Sequence, residues 1–386
     1  MLIENGRIFT GAKGVLENGY VLIRDGKIAA VGEGAAPMSD PERIDAQGRL
    51  VTPGFIDAHC HAGMWEEGLA FEGDDGNEET DPSTPQLRAL DAVNPTDRAF
   101  RDALDYGVTA VLTGPGSANP VAGQICALKT YGGTTDEMLL KAPAAIKFAM
   151  GENPKTVYNG KSQTPATRMA IAAIIREQLM KARRYMQDLE KAEQDKDADP
   201  PELDMKCEAL LPLLRREIKA HFHAHRADDI CTALRIAQEF DLDPVIIHAT
   251  EGHLIADTIA RAGVPVVCGP IISTRTKPEL RNLERFNAKR LLDAGVPVAV
   301  NTDAPENPLD MLATAAAVCA MEGIPHEKAL EMLTCNAAKA AGLENRIGSI
   351  LPGLDADLLL FSQDPIGLLV RPDMVICGGK VRKKTV

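Results

Sequence analysis

No stretch of the sequence approaches the ~20 consecutive apolar residues of a membrane-spanning helix, which argues against an integral membrane protein. A basic excess is absent too. With 42 Lys and Arg against 55 Asp and Glu, the net charge is −13, so neither nucleic acid nor an anionic membrane suits the surface as a whole. No CxxC pair occurs among the eight cysteines, which are expected to be reduced, buried thiols. The N-terminus, MLIENGRIFTGAKG, lacks a signal-peptide core and a basic lead-in, and reads as mature structure of a cytoplasmic protein. Histidine is also scarce, at eight in 386 residues, and the positions of those eight are the main clue to function.

The composition that remains is ordinary. Hydrophobic residues make up 45% and charged residues 25%, which excludes wholesale disorder. The length suits a (β/α)8 barrel of roughly 250 residues with a smaller partner. Residues 1 to about 50 are β-rich runs broken by Asn-Gly, Asp-Gly and Gln-Gly turns, and the far C-terminus repeats that texture. The middle alternates apolar strands with helical stretches, the pattern of βα units and a parallel sheet. Eight strands are expected, at 54–61, 107–116, 124–130, 144–152, 218–225, 244–251, 264–270 and 296–305. The third rests on little more than a β-compatible run. Residues 164–217 read as a helical pair inserted outside the sheet, and residues 62–87 as an acidic insertion without Lys or Arg.

Seven of the eight histidines fall in three groups: His59 and His61; His221, His223 and His225; His248 and His253. Each group lies at or just past the C-terminal end of an expected strand, where a barrel builds its active site. On a strand, residues i and i+2 share a face, so His59 and His61 can bind one metal ion through neutral imidazoles. Cys60 between them is expected to point away. His248 ends an apolar run and joins the ligand set. Of the 221/223/225 ladder, His223 is the favoured ligand, His225 a supporting or substrate contact, and His221 a barrel-lining residue. Asp303 in NTDAP fits a helix N-cap, or else a general base that also touches the metal. Two residues on the fourth strand could bridge two metals, Lys147 as a carbamate or Glu152, and Glu152 is preferred because it sits at the strand's C-terminal end.

LVTPGFIDAHCHAG near residue 50, the strand-end histidines, NTDAP and CNAAKAAGLENRIGSILPGLDADLLLF together resemble the metal-dependent amidohydrolase superfamily. Within it, PGSANPVAGQ, IKFAMGENPK and AHRADDICTAL resemble the imidazolonepropionase-like and prolidase-like group. The resemblance implies an α/β fold with a TIM-like barrel over residues 52–350 and a small β-sandwich built from residues 1–51 and 351–386. It implies metal ligands at His59, His61, Glu152, His223, His248 and Asp303, with Asp303 and His248 catalytic and His225 and His253 touching substrate. The implied cofactor is one or two divalent ions, zinc foremost. The implied reaction is hydrolysis of a C–N bond in a small amide, dipeptide or cyclic amide by water that the metal acidifies, with Asp303 as base. A heterocyclic base deaminase with the same metal site is the alternative, and a non-enzymatic scaffold a more remote one. Self-association into a homo-oligomer is left open. The acidic insertion reads either as a solvated loop or as a lid favouring a cationic substrate, such as a dipeptide ending in Lys or Arg.

Overall fold

The two β-rich ends of the chain meet in one hydrogen-bonded sheet. The computed structural model describes residues 1–37, 39–195 and 197–384. The N-terminal part supplies β1 (Leu2–Phe9), β2 (Val15–Arg24), β3 (Lys27–Glu33), β4 (Arg43–Asp45) and β5 (Leu50–Pro53). The β2–β3 hairpin turns on Asp25-Gly26, both at positive φ (49° and 74°), as a two-residue turn between twisted strands requires.

The middle of the chain forms a second sheet of eight strands in sequence order. These are β6 (Phe55–Cys60), β7 (Val108–Thr113), β8 (Val121–Lys129), β9 (Leu139–Ala149), β10 (Lys219–Ala224), β11 (Pro244–His248), β12 (Val266–Cys268) and β13 (Val298–Val300). The chain then returns to the first sheet as β14 (Leu358–Phe361), β15 (Met374–Cys377) and β16 (Lys380–Lys384), giving the order β16-β15-β14-β5-β1-β2-β3 with β4 beside β1.

The second sheet curls into a barrel. All eight expected strands are present, but one runs the wrong way for an all-parallel sheet. β8 is antiparallel to both β7 and β9. The reason is the connection: residues 114–120 are too few for the helical crossover that a parallel neighbour needs, so the chain doubles back. This turn delivers Gly114 and Ser117 to the barrel mouth. The seam between β13 and β6 is closed by Asn301 Nδ2 donating to His59 O (3.2 Å) and His61 N–H donating to Ala304 O (2.8 Å).

Side chains alternate across the barrel wall. Phe148 and Phe222 stack on its outer face, 4.8 Å between ring centres. Val245, Ile247, Val267 and Ala299 belong to a separate cluster with the alanines of helix Cys335–Ala341. His221 reaches that helix, its Nε2 3.2 Å from Ala340 O, which places it deep in the barrel and away from the mouth. The 164–217 insertion is one long helix, Arg168–Gln194, capped by the Thr167 hydroxyl, followed by two single turns, Met205–Glu208 and Leu211–Leu214. Pro200 and Pro201 keep a second long helix from forming. No helix among the described residues is long and apolar enough to cross a membrane.

Candidate metal centre

The barrel mouth gathers two compact sets of ligand-type atoms: His59, His61 and Asp303; and His223, His225 and His248. Within each set the atoms lie within 4.8 Å of one another.

His59 and His61 come from the end of β6 and face Asp303 across the closing seam. Their Nε2 atoms stand 3.5 and 3.4 Å from the same oxygen, Asp303 Oδ1. His61 Nδ1–H donates to Gly114 O at 2.7 Å, which turns its Nε2 lone pair into the site. Asp303 is held at φ 58°, and its Oδ1 has no hydrogen-bond partner among the described residues. Burial pushes its carboxyl up, but His248, His61 and Lys147 outweigh that and hold it well below the ordinary carboxylate range. Burial, aided by Lys147 and His61, drives His59 well below its ordinary value, so its imidazole is neutral.

His248 sits where the strand ends. Regular alternation after Ile247 would turn it outward. Positive φ at His248 (72°) and Ala249 (47°) brings the ring back over the mouth. Its Nδ1–H donates to Gly269 O at 2.7 Å, and burial lowers it to about 4. The ring lies 5.6 Å from that of His59 and 4.6 Å from that of His223, between the two sets. His223 Nδ1 pairs with Ser117 Oγ at 2.9 Å and His225 Nδ1 with Thr250 Oγ1 at 2.7 Å. Burial keeps both imidazoles neutral.

Glu152 is not brought to this cluster. β9 ends at Ala149, Gly151 takes φ 82°, and Glu152 opens the helix Glu152–Gly160. Its carboxylate accepts the Glu279 N–H instead, at 3.0 Å. Lys147 is the fourth-strand residue beside the histidines: it is fully buried and its Nζ donates to His59 Nε2 at 3.1 Å. Burial lowers its ammonium to about 7. His253 also lies apart, its ring edge-on to Phe286 and its N–H bound to Asn287. Cys60 packs into the outer core, as alternation requires.

Two residues escaped the sequence reading. Asp57 accepts from Thr302 N–H (3.0 Å), Thr302 Oγ1 (2.5 Å) and His59 N–H (3.1 Å). Its signal was present in GFIDAHCH, a charge inside an apolar strand that needs a partner. Glu279 lies in the irregular segment after β12 and carries no local signature at all.

A cavity of about 460 Å³ opens over both sets, lined also by Trp65, Asn77, Ser117, Asn153 and Lys277. The acidic insertion thus contributes an indole and an amide. Of its carboxylates, Glu66 is engaged by Asn94, Asp74 by Trp65, Glu78 by Thr80, Glu79 by Lys161 and Asp81 by Lys206. None of the insertion's carboxylates lines this cavity.

The profile of the Amidohydrolase family matches residues 130–382. The chain belongs to that family. It is therefore a metal-dependent hydrolase acting on carbon–nitrogen bonds. The solved structure of an amidohydrolase from Thermotoga maritima is 42% identical, covers 100% of both chains and superposes with a TM-score of 0.93. Among curated proteins, the amidohydrolase tasK of Hapsidospora irregularis is 28% identical over 94% of this chain, which spans only 39% of that longer protein. The imidazolonepropionase of Streptomyces avermitilis is 26% identical over 93% of this amidohydrolase and 84% of its own length.

Proposed function

We propose that this amidohydrolase cleaves the C–N bond of a small amide, dipeptide or cyclic amide with a divalent ion, zinc, held by His59, His61 and Asp303 and completed by His248. One observation carries the reading: two imidazoles two residues apart face a single carboxylate oxygen at 3.4 and 3.5 Å. That spacing is the ligand-to-ligand edge, about 3.4 Å, of a tetrahedron with bonds of about 2.1 Å. The unpartnered, buried Asp303 Oδ1 fits the same requirement. Lys147 takes the place at this centre that the sequence reading gave to Glu152.

When bound, the ion supplies Lewis acidity and brings a water's pKa down towards ~7. The protein supplies the rest. Asp303, kept ionised by its neighbours, accepts the proton from the attacking water and returns it to the leaving nitrogen. His248 is held neutral, with its Nδ1 fixed on Gly269, so Nε2 is presented to the site. Trp65 and Ser117 line the cavity in which the carbonyl is held.

Metal analysis of the purified protein, followed by a screen of dipeptides, N-acyl amino acids, hydantoin-like rings and nucleobases, tests the reading. No bound divalent ion, and no turnover after zinc or manganese is added, would sink it. D303N should lose at least 1,000-fold in kcat with the chain still folded, and retained turnover would remove Asp303 as the base.

A further inference from the structure

The cavity over the histidines has one cationic wall. Among the described residues that line it, Lys277 is the only lysine or arginine. It lies in the irregular segment after β12, just ahead of the single turn Pro278–Leu280. From there it reaches the β9–β10 side of the mouth. Its Nζ donates to Asn153 Oδ1 at 3.0 Å, in the helix that follows β9, and stands 2.8 Å from Glu279 Oε1. In the strand order of the barrel, β9 and β10 are opposite β13 and β6, whose ends bear Asp303, His59 and His61. The ammonium therefore faces the proposed metal centre across the cavity.

We propose that Lys277 binds a carboxylate of the substrate, so that the amides cleaved here are N-acyl amino acids or dipeptides with a free C-terminus. This rests on the hydrolase reading above and names its substrate class.

Lys277 is held from behind and open in front. The Glu279 side chain is 1% exposed, whereas that of Lys277 is 30% exposed. The carboxylate thus lies under the ammonium, and the ammonium fronts the cavity. Glu279 is locked in turn. Its Oε2 accepts Glu152 N–H at 3.0 Å, and Glu152 Oε2 accepts Glu279 N–H at 3.0 Å, a reciprocal pair that fixes backbone and carboxylate together. This gives Glu152 a function: it positions the group that aims the lysine.

A lysine ammonium has three N–H donors and no acceptor. Asn153 takes one and the Glu279 carboxylate holds the charge from below, which leaves a donor for an anion in the cavity. Ser273 and Thr276, on the same segment, also line the cavity and offer hydroxyls to a second carboxylate oxygen. The placement sets the polarity of the substrate. With the acyl carbonyl at the His59–His61–Asp303 centre, the carboxylate lies on the leaving-amine side, on the carbon next to the nitrogen that Asp303 protonates. An α-amino acid is the leaving group that carries both.

The test pairs each of a set of Ala-X dipeptides and N-acetyl amino acids with its own C-terminal amide, using the metal-loaded, full-length protein. An acid that is cleaved should exceed its amide roughly 10- to 100-fold in kcat/KM, mainly through KM. Whichever series responds identifies the source of the carboxylate. K277M should bring the ratio down to about threefold or less. It also leaves Glu279 buried without its cation, so K277M/E279Q, neutral on both sides, is measured beside it and should lose the ratio equally. Amides cleaved as fast as acids by the wild type, or a ratio that survives in both variants, overturns the proposal. Turnover confined to uncharged rings or nucleobases overturns it too, and leaves the C–N hydrolase standing. Calorimetric titration with the same pairs reads Lys277 without turnover: acids should bind more tightly than their amides, and no acid bound overturns the proposal. No turnover of any compound, with acids still bound through Lys277, would instead count against the hydrolase reading.

Discussion

Asp57 is buried in β6, and burial raises its carboxyl to about 7 despite three hydrogen bonds from Thr302 and His59. The two bonds from Thr302 cross the seam between β6 and β13, so one side chain sets the distance between the β6 histidines and the loop bearing Asp303. Replacing it with alanine strands Thr302 N–H and His59 N–H in a dry interior. Each buried unpaired donor costs about 1–3 kcal/mol. D57A should therefore lower unfolding stability and weaken metal binding at the His59–His61–Asp303 centre at least tenfold, as read by chemical denaturation and metal titration. Normal metal affinity in a destabilised D57A would show that the seam does not position the ligands. Glu152 and Lys147 show where residue-level reading of the sequence stopped. The strand was expected to run to residue 152, three residues beyond its end at Ala149. Gly151 at φ 82° starts a helix there, and the carboxylate that looked best placed points at Glu279.

At the scale of elements, β10 is held by what its outer face packs against. Phe222 stacks on Phe148 of β9 with the planes 17° apart, and alternation then directs His221 and His223 inward. F222A should cost about 3–5 kcal/mol, the usual loss for a buried phenylalanine. The measurement is a lowered urea midpoint with an unchanged slope, and a change below 1 kcal/mol would deny β10 this anchoring. Strands and their order were legible because apolar runs and turn residues repeat along the chain. Strand direction was not, since the reversal of β8 depends on connection length rather than on side-chain pattern. Glu279 was illegible for a related reason: residues 269–286 have no periodicity, and only the folded loop reveals what KPEL faces. The histidine groups were legible because a two-residue spacing at a strand end already fixes a shared face.

Across the whole molecule, the barrel and the terminal sheet are joined by a buried charge network. Lys129 at the end of β8 pairs with Asp357 and, at 3.1 Å, with Asp355, and Tyr131 Oη donates to Asp357 at 3.1 Å. K129M leaves two carboxylates without this partner, and breaking a buried pair from one side costs about 3–5 kcal/mol. Thermal unfolding should show that loss, and a fall under 1 kcal/mol would mean the sheets are held by apolar contact alone. The other end of the chain is tied by Asp40, which Arg24, the Glu42 N–H and the terminal ammonium lower from 3.8 to about 2. Its folded value is depressed, so its contribution is complete above about 4 and is lost as pH falls towards 2. D40N should flatten the melting temperature across that window relative to wild type; an unchanged slope would assign acid sensitivity elsewhere. The reversed strand has a further consequence. Seven barrel strands point their C-terminal ends at the mouth and β8 points its N-terminal end there, so one stretch, residues 114–120, serves both β7 and β8. It is clamped by a ladder on each side and carries Ser117 at a fixed depth. Every other connection at the mouth can lengthen or shorten to suit a new substrate; this one cannot, and it is the fixed point around which the variable rim must change.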